Sequence, residues 1–164
     1  MTSWAVAADD LADVATAMRY EANGARMRRE LAKELRAAVE PGVQAARGEV
    51  LAIGSGGIPH EGGSLRAAVA RQVKAQTTLT GDSAGVRVRV SKRGMPRGFR
   101  NAPKRLNRAA GWRHPVFGSR DAWVHQMGRP DWFDGPLRAR REQYRAAVEK
   151  VVRDTADRIR RGAR

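Results

Sequence analysis

Five of the chain's nine aromatic side chains, Trp112, Phe117, Trp123, Trp132 and Phe133, fall between residues 112 and 133. Large aromatics supply much of the area buried in a small core or interface. A chain of 164 residues with so few of them must centre its fold on that block or present it to a partner. Side-chain size places Trp112, Phe117, Trp123 and Phe133 in the core. Trp132, next to Gly128-Arg129-Pro130, reads instead as an exposed anchor at a subunit interface.

The block lies in the most basic part of the chain. Net charge is +15 overall. Residues 1–63 carry seven Lys/Arg against nine Asp/Glu, a net of −2. Residues 64–130 carry fifteen against two, a net of +13, and residues 131–164 carry ten against six, a net of +4. Such asymmetry points to a polyanion or to an acidic protein surface. The bland alternative is an arginine-rich composition (27 Arg among the 32 bases) that only solvates a surface. It explains Arg over Lys but not the scarcity of acids between 64 and 130.

The length suits one domain with a real core. No apolar run approaches the ~18 residues of a transmembrane helix, so no membrane partner is expected. The start, MTSWAVAADDLADVA, lacks a basic n-region and does not read as a signal peptide. With no cysteine there are no disulfides or thiolate metal sites. These features predict a soluble protein made and used inside a cell or a particle.

Apolar periodicity predicts an α+β fold, with a long N-terminal helix and a C-terminal helix packed on a small antiparallel sheet of about four strands. Leu11, Val14, Met18, Ala22 and Ala25 recur at helical spacing, and Met27, Leu31, Leu35 and Ala38 continue the stripe after a slip near Gly24. Residues 1–53 therefore read as one long helix, or two in line, with Asp9, Asp10 and Asp13 suiting the positive end of the dipole. Pro41-Gly42 is expected to kink or break it. Residues 54–63 are a Gly-rich hinge, and 64–164 form the rest of a single domain. Ser64 caps a short helix over 65–71. Alternation around GDSAG, with Val73, Ala75, Thr77 and Leu79 before it and Val86, Val88 and Val90 after it, predicts a hairpin with one apolar and one basic face. A basic loop follows over 92–108, with a short helix after Pro103. A second strand pair spans 112–117 and 122–127 around Gly118. A C-terminal helix over 136–160 opens at Pro136, with Leu137, Tyr144, Val148, Val151 and Ile159 on one face. An unbent N-terminal helix of ~40 residues would span ~60 Å at ~1.5 Å per residue, so it should bend back or pack on a neighbouring subunit.

Catalytic chemistry is thin. No GxSxG, HExxH or P-loop spelling occurs, and GSGGIPHEGG lacks the strand and the lysine that a phosphate loop needs. His114 and His125 would approach each other if their strands pair, but a metal site needs further ligands. His114 before Pro115 is expected to hydrogen-bond a strand end instead. No enzyme activity, cofactor or metal is expected. The bases offer more. Arg87 and Arg89 project from one face of a strand, ~6–7 Å apart, and Lys92, Arg93, Arg97, Arg100, Lys104, Arg105 and Arg108 extend the set into the loop. That spacing suits a phosphate backbone without base reading, or equally an acidic surface of a neighbouring subunit.

The run RHPVFG, then SRDAWV, then GRPDWF resembles a neck family of long-tailed bacteriophages, the head–tail connector or tail-completion proteins. Weaker support comes from SLRAAV, from VRVRV with its SKRGMP exit, and from the arginine-rich opening of the C-terminal helix. The likeness covers residues 64–150, with Ser119 where the family more often has Asn. It implies a structural virion protein, assembled in the host cytoplasm, that joins head to tail as a subunit of a neck ring around the DNA channel. Its implied partners are copies of itself, other neck, portal-side and tail-terminator proteins, and packaged double-stranded DNA. Six copies are expected by analogy with tails, and twelve by analogy with portal-side rings. The alternative function is a free, non-specific DNA-binding protein using the basic 64–130 segment.

Overall fold

The amphipathic N-terminal stretch folds as two helices preceded by a strand, not as one rod. The computed structural model describes residues 3–6, 11–19, 23–54, 64–80, 84–115 and 121–162. Strand β1 spans Ser3–Val6, α1 Leu11–Ala17 and α2 Gly24–Leu51. The slip in the apolar stripe marks the break between α1 and α2. Gly24 sits there because a Cβ on it would fall 1.7 Å from the Met18 carbonyl oxygen, so only a hydrogen fits. Strand β1 was missed because four residues are too few for alternation to register.

Helix α2 also runs through Pro41, where a break was expected. Its buried side chains are Leu31, Leu35, Val39, Val43, Ala46 and Val50, three or four residues apart along one stripe. Interior proline costs about 3 kcal/mol, whereas each fully buried Val or Leu contributes roughly 1.5–3 kcal/mol. The stripe wins, and Pro41 itself is exposed.

Helix α3 spans Leu65–Gln72, and the Ser64 hydroxyl accepts from the Ala67 backbone N–H at 3.1 Å, the cap read from sequence. Strands β2 (Val73–Thr78) and β3 (Gly85–Val90) follow as neighbours. The parity of β3 matches its sequence, with Val86, Val88 and Val90 buried and Arg87 and Arg89 half-buried. Next come α4 (Ala102–Leu106), β4 (Trp112–Pro115), β5 (Trp123–Gln126), α5 (Asp134–Ala139) and α6 (Arg141–Gly162). The protein is thus α+β, but its strands do not form one four-stranded sheet. They divide into a sheet ordered β1-β3-β2 and a separate β4-β5 pair.

The contacts group the chain into two compact units. One holds residues 1–2, 44–74 and 89–139, and the other holds 3–43, 75–88 and 140–164. The first has sixteen Lys/Arg against five Asp/Glu, a net of +11. The second has sixteen against twelve, a net of +4. In this second, more helical unit, α6 packs against α1 and β1. Tyr144, Val148, Val152 and Thr155 form its buried face, while Val151 and Ile159, expected on that face, are half-buried. Arg158 joins α6 to α2 with a two-pronged bond to the Glu34 carboxylate at 2.9 and 2.8 Å. That carboxylate holds the Arg158 guanidinium more firmly protonated than usual.

The C-terminal helix is divided. Pro136 is the third residue of α5 and not a helix start, and Arg140 separates α5 from α6. Leu137 belongs to the basic unit and is buried there, as are Trp132 and Phe133. Those two rings meet edge-to-face at 5.6 Å and are 1% and 0% exposed. Trp132 is therefore core and not an exposed anchor. Trp123, expected inside, is 51% exposed. Among the described residues no helix is long and apolar enough to cross a membrane.

Trp132→Ala should cost about 3–5 kcal/mol in urea unfolding, the range for emptying an aromatic core site. Trp123→Ala should stay within about 0.5 kcal/mol of the parent, as surface changes do. The reverse order would contradict the exchange of roles between these two side chains.

Candidate functional site

The basic segment between β3 and β4 is a succession of tight turns. The Ser91 hydroxyl accepts from the Arg93 N–H at 3.3 Å. Backbone bonds then close from Phe99 N–H to Pro96 at 3.0 Å, from Ala102 to Phe99 at 2.8 Å, and from Arg108 to Arg105 at 3.1 Å. Met95, Ala102, Pro103 and Leu106 turn inward and are buried. The cations between them turn outward, so Lys92, Arg93, Arg97, Arg100, Lys104, Arg105 and Arg108 are all exposed. The short helix expected after Pro103 is α4, which begins one residue earlier and carries the proline in its first turn, where a missing N–H costs nothing.

Seven of the nine bases singled out in the sequence thus lie on one stretch of the basic unit, together with half-buried Arg89. Arg87, two residues away on the same strand, belongs to the other unit. Arg47 and Arg66 serve the fold instead. Arg47 donates to the Ala70 and Val73 carbonyls at 3.2 and 2.9 Å, and Arg66 donates to the Ile53 carbonyl. Within the basic unit, ion pairs join Arg129 to Glu49 at 2.6 Å and Arg138 to Asp131 at 3.2 Å. Among the described residues, no carboxylate is bridged to a loop cation.

The aromatic run forms the hairpin of β4 and β5, antiparallel, with Trp112 opposite Gln126, Arg113 opposite His125, His114 opposite Val124 and Pro115 opposite Trp123. Successive pairs point to opposite faces. The inner face holds Trp112, His114, Val124 and Gln126; the outer holds Arg113, Pro115, Trp123 and His125. Hence His114 and His125, expected to approach each other, lie on opposite faces. His114 Nδ1 is 3.0 Å from the Pro115 carbonyl, the strand-end bond expected of it. Its ring meets Phe99 edge-on at 5.1 Å and Trp112 at 5.4 Å. The Arg105 guanidinium lies 5.9 Å from the centre of the Trp112 ring, a cation–π contact. Phe117 lies outside the described residues.

Gln126 anchors the hairpin. It is 7% exposed, and its Nε2 donates to the Gly54 carbonyl at 3.1 Å and the Met127 carbonyl at 2.8 Å. Gly111 opens β4 with a left-handed φ of +59, and a Cβ there would fall 1.9 Å from the Gln126 carbonyl oxygen. Sequence reading missed the outer-face set of Arg113 and His125 beside Trp123. Strand parity could have found it, because Trp123 lies two residues before His125 and opposite Pro115, two residues after Arg113, and so shares their face.

Among the described residues, no group of three His, Asp or Glu could hold an ion. Partial burial and then the Asp131 charge push the Asp134 carboxyl above its usual range, with Arg138 opposing. No family model matches the chain, and neither does any curated protein or solved structure.

Gly111→Ala should loosen the hairpin, because the new methyl adds strain of roughly 1–3 kcal/mol at a left-handed position and meets the Gln126 carbonyl. Hydrogen exchange should speed up at the amides of 112–114 and 123–126. Unchanged protection there would refute the close approach.

Proposed function

We propose that this chain is a structural protein of a tailed-phage virion, a subunit of the ring that joins head to tail. The observation that carries the reading is where the family-like run resides. Within that run, residues 112–115 pair with 123–126 as antiparallel strands whose outer face carries Arg113, Pro115, Trp123 and His125, with Trp123 51% exposed. Met127, immediately after β5, is 49% exposed. A large aromatic left on the surface of a chain with few aromatics suits an interface residue more than a core residue. Repeated copies of such a contact, closed by cyclic symmetry, are how a ring is built. The protein's task on this reading is assembly, and no bond is made or broken.

A second reading is favoured by the charge of the basic unit. Its +11 net charge, with seven exposed cations on one loop, suits non-specific contact with a polyanion. A neck subunit would meet DNA in the channel, whereas a free DNA-binding protein would meet it in solution.

Electron microscopy of a lysate from the parent phage with this gene deleted separates these readings. Filled heads lying apart from complete tails are expected. Normal infectious particles would sink the neck assignment and leave the DNA-binding reading first.

A further inference from the structure

A small cleft opens between the α4 turn and β4, wholly within the basic unit, with Phe99, Arg100, Asn101, Arg105 and Trp112 on its walls. Its volume is about 150 Å³. Small-molecule and cofactor sites are typically ~300–1,000 Å³, so this one is sized for a single chemical group.

The chemistry of the walls is one-sided. No Asp or Glu lines the cleft. Guanidinium and indole groups donate hydrogen bonds and accept none. Arg105 is held at the wall by its contact with the Trp112 ring. The Trp112 Nε1–H is buried and, among the described residues, has no acceptor. A buried donor without a partner is a cost that a ligand oxygen would remove. Asn101 precedes α4 without using its side chain as a cap. Two forked cations and an unmet neutral donor call for a compact anion with several oxygens. A phosphate fits, since arginine pairs with it through two parallel bonds. The exposed cations that continue along the same loop, Arg97, Lys104 and Arg108, favour a phosphate within a charged polymer over a free ion.

We propose that this cleft seats one phosphate of a nucleic-acid backbone, with Arg100 and Arg105 as its ionic partners and Trp112 Nε1–H as a neutral donor. The proposal deepens the polyanion reading and is independent of whether the chain joins heads to tails.

The test is fluorescence anisotropy of the full chain with a labelled 20-base-pair duplex over a salt series. Each phosphate neutralised contributes about 0.9 to the slope of log affinity against log salt. The variant R100S/R105S should therefore lose about 1–2 units of slope and bind roughly tenfold or more weakly at low salt. W112F keeps an aromatic ring, though a smaller one, and removes the N–H. It should weaken binding a few-fold and leave the slope unchanged, because a neutral donor releases no counterion. R153S/R161S, exposed on α6 in the other unit, should match the parent, and melting curves confirm that each variant folds. If the parent binds DNA but R100S/R105S behaves like it, the cleft is not the site, although the polyanion reading survives. No binding by the parent overturns both. Inorganic phosphate quenching tryptophan fluorescence in the parent but not in W112F, with no duplex binding, would overturn the nucleic-acid assignment in favour of a free anion.

Discussion

Removal of one apolar stripe from water is the constraint on which most of this structure depends. The buried residues of α2 run from Leu31 to Val50, and the helix contributes to both compact units, Leu31 to Val43 in one and Ala46 and Val50 in the other. The stripe outweighs the local cost of Pro41 inside the helix. After Ile53 and Gly54 the Gly54 carbonyl is taken up by buried Gln126, so the end of α2 is tied to the hairpin that carries the exposed aromatic face.

The exchange of Trp123 and Trp132 has one cause. Size argues for burying both, but a strand offers alternate residues to alternate faces and cannot bury them all. Once Gln126 and Trp112 face inward, Trp123 must share the outer face with Arg113, His125 and Pro115. Trp132 lies on no strand. It follows Asp131, whose φ is +59, and that left-handed step carries the indole into the core beside Phe133. An outward tryptophan that shares a strand face with Arg113 and an inward one packed on Phe133 are the same side chain answering different backbones.

Charge is distributed with the same economy. In the helical unit, bases are matched at close range, as in Arg26–Glu30, Arg145–Glu149, Lys150–Asp154 and Arg158–Glu34. Exposed pairs of this kind contribute little stability, because water screens them, but they neutralise the surface. In the basic unit the loop cations have no such bridges among the described residues, and the field they create extends into solvent. A segment that concentrates like charge on a network of fixed turns has already met the cost of holding those charges together, which a polyanion would relieve.

Much of this was legible in the sequence because it is local. The Ser64 cap, the parity of Val86, Val88 and Val90, the slip of the apolar stripe near Gly24, the α4 turn and the pairing of residues 112–115 with 123–126 all follow from spacing and from backbone preferences that act over a few residues, whereas the break was expected at Pro41 and falls before Gly24. The exposure of the seven loop cations follows equally from their number among so few apolar neighbours. What the sequence left open is long-range. Nothing local says that the strands divide into two sheets, that β1 joins one of them, that α5 and α6 part at Arg140, or that Arg105 settles on the Trp112 ring. Those outcomes depend on which surfaces can be buried together at once, and only tertiary packing compares them.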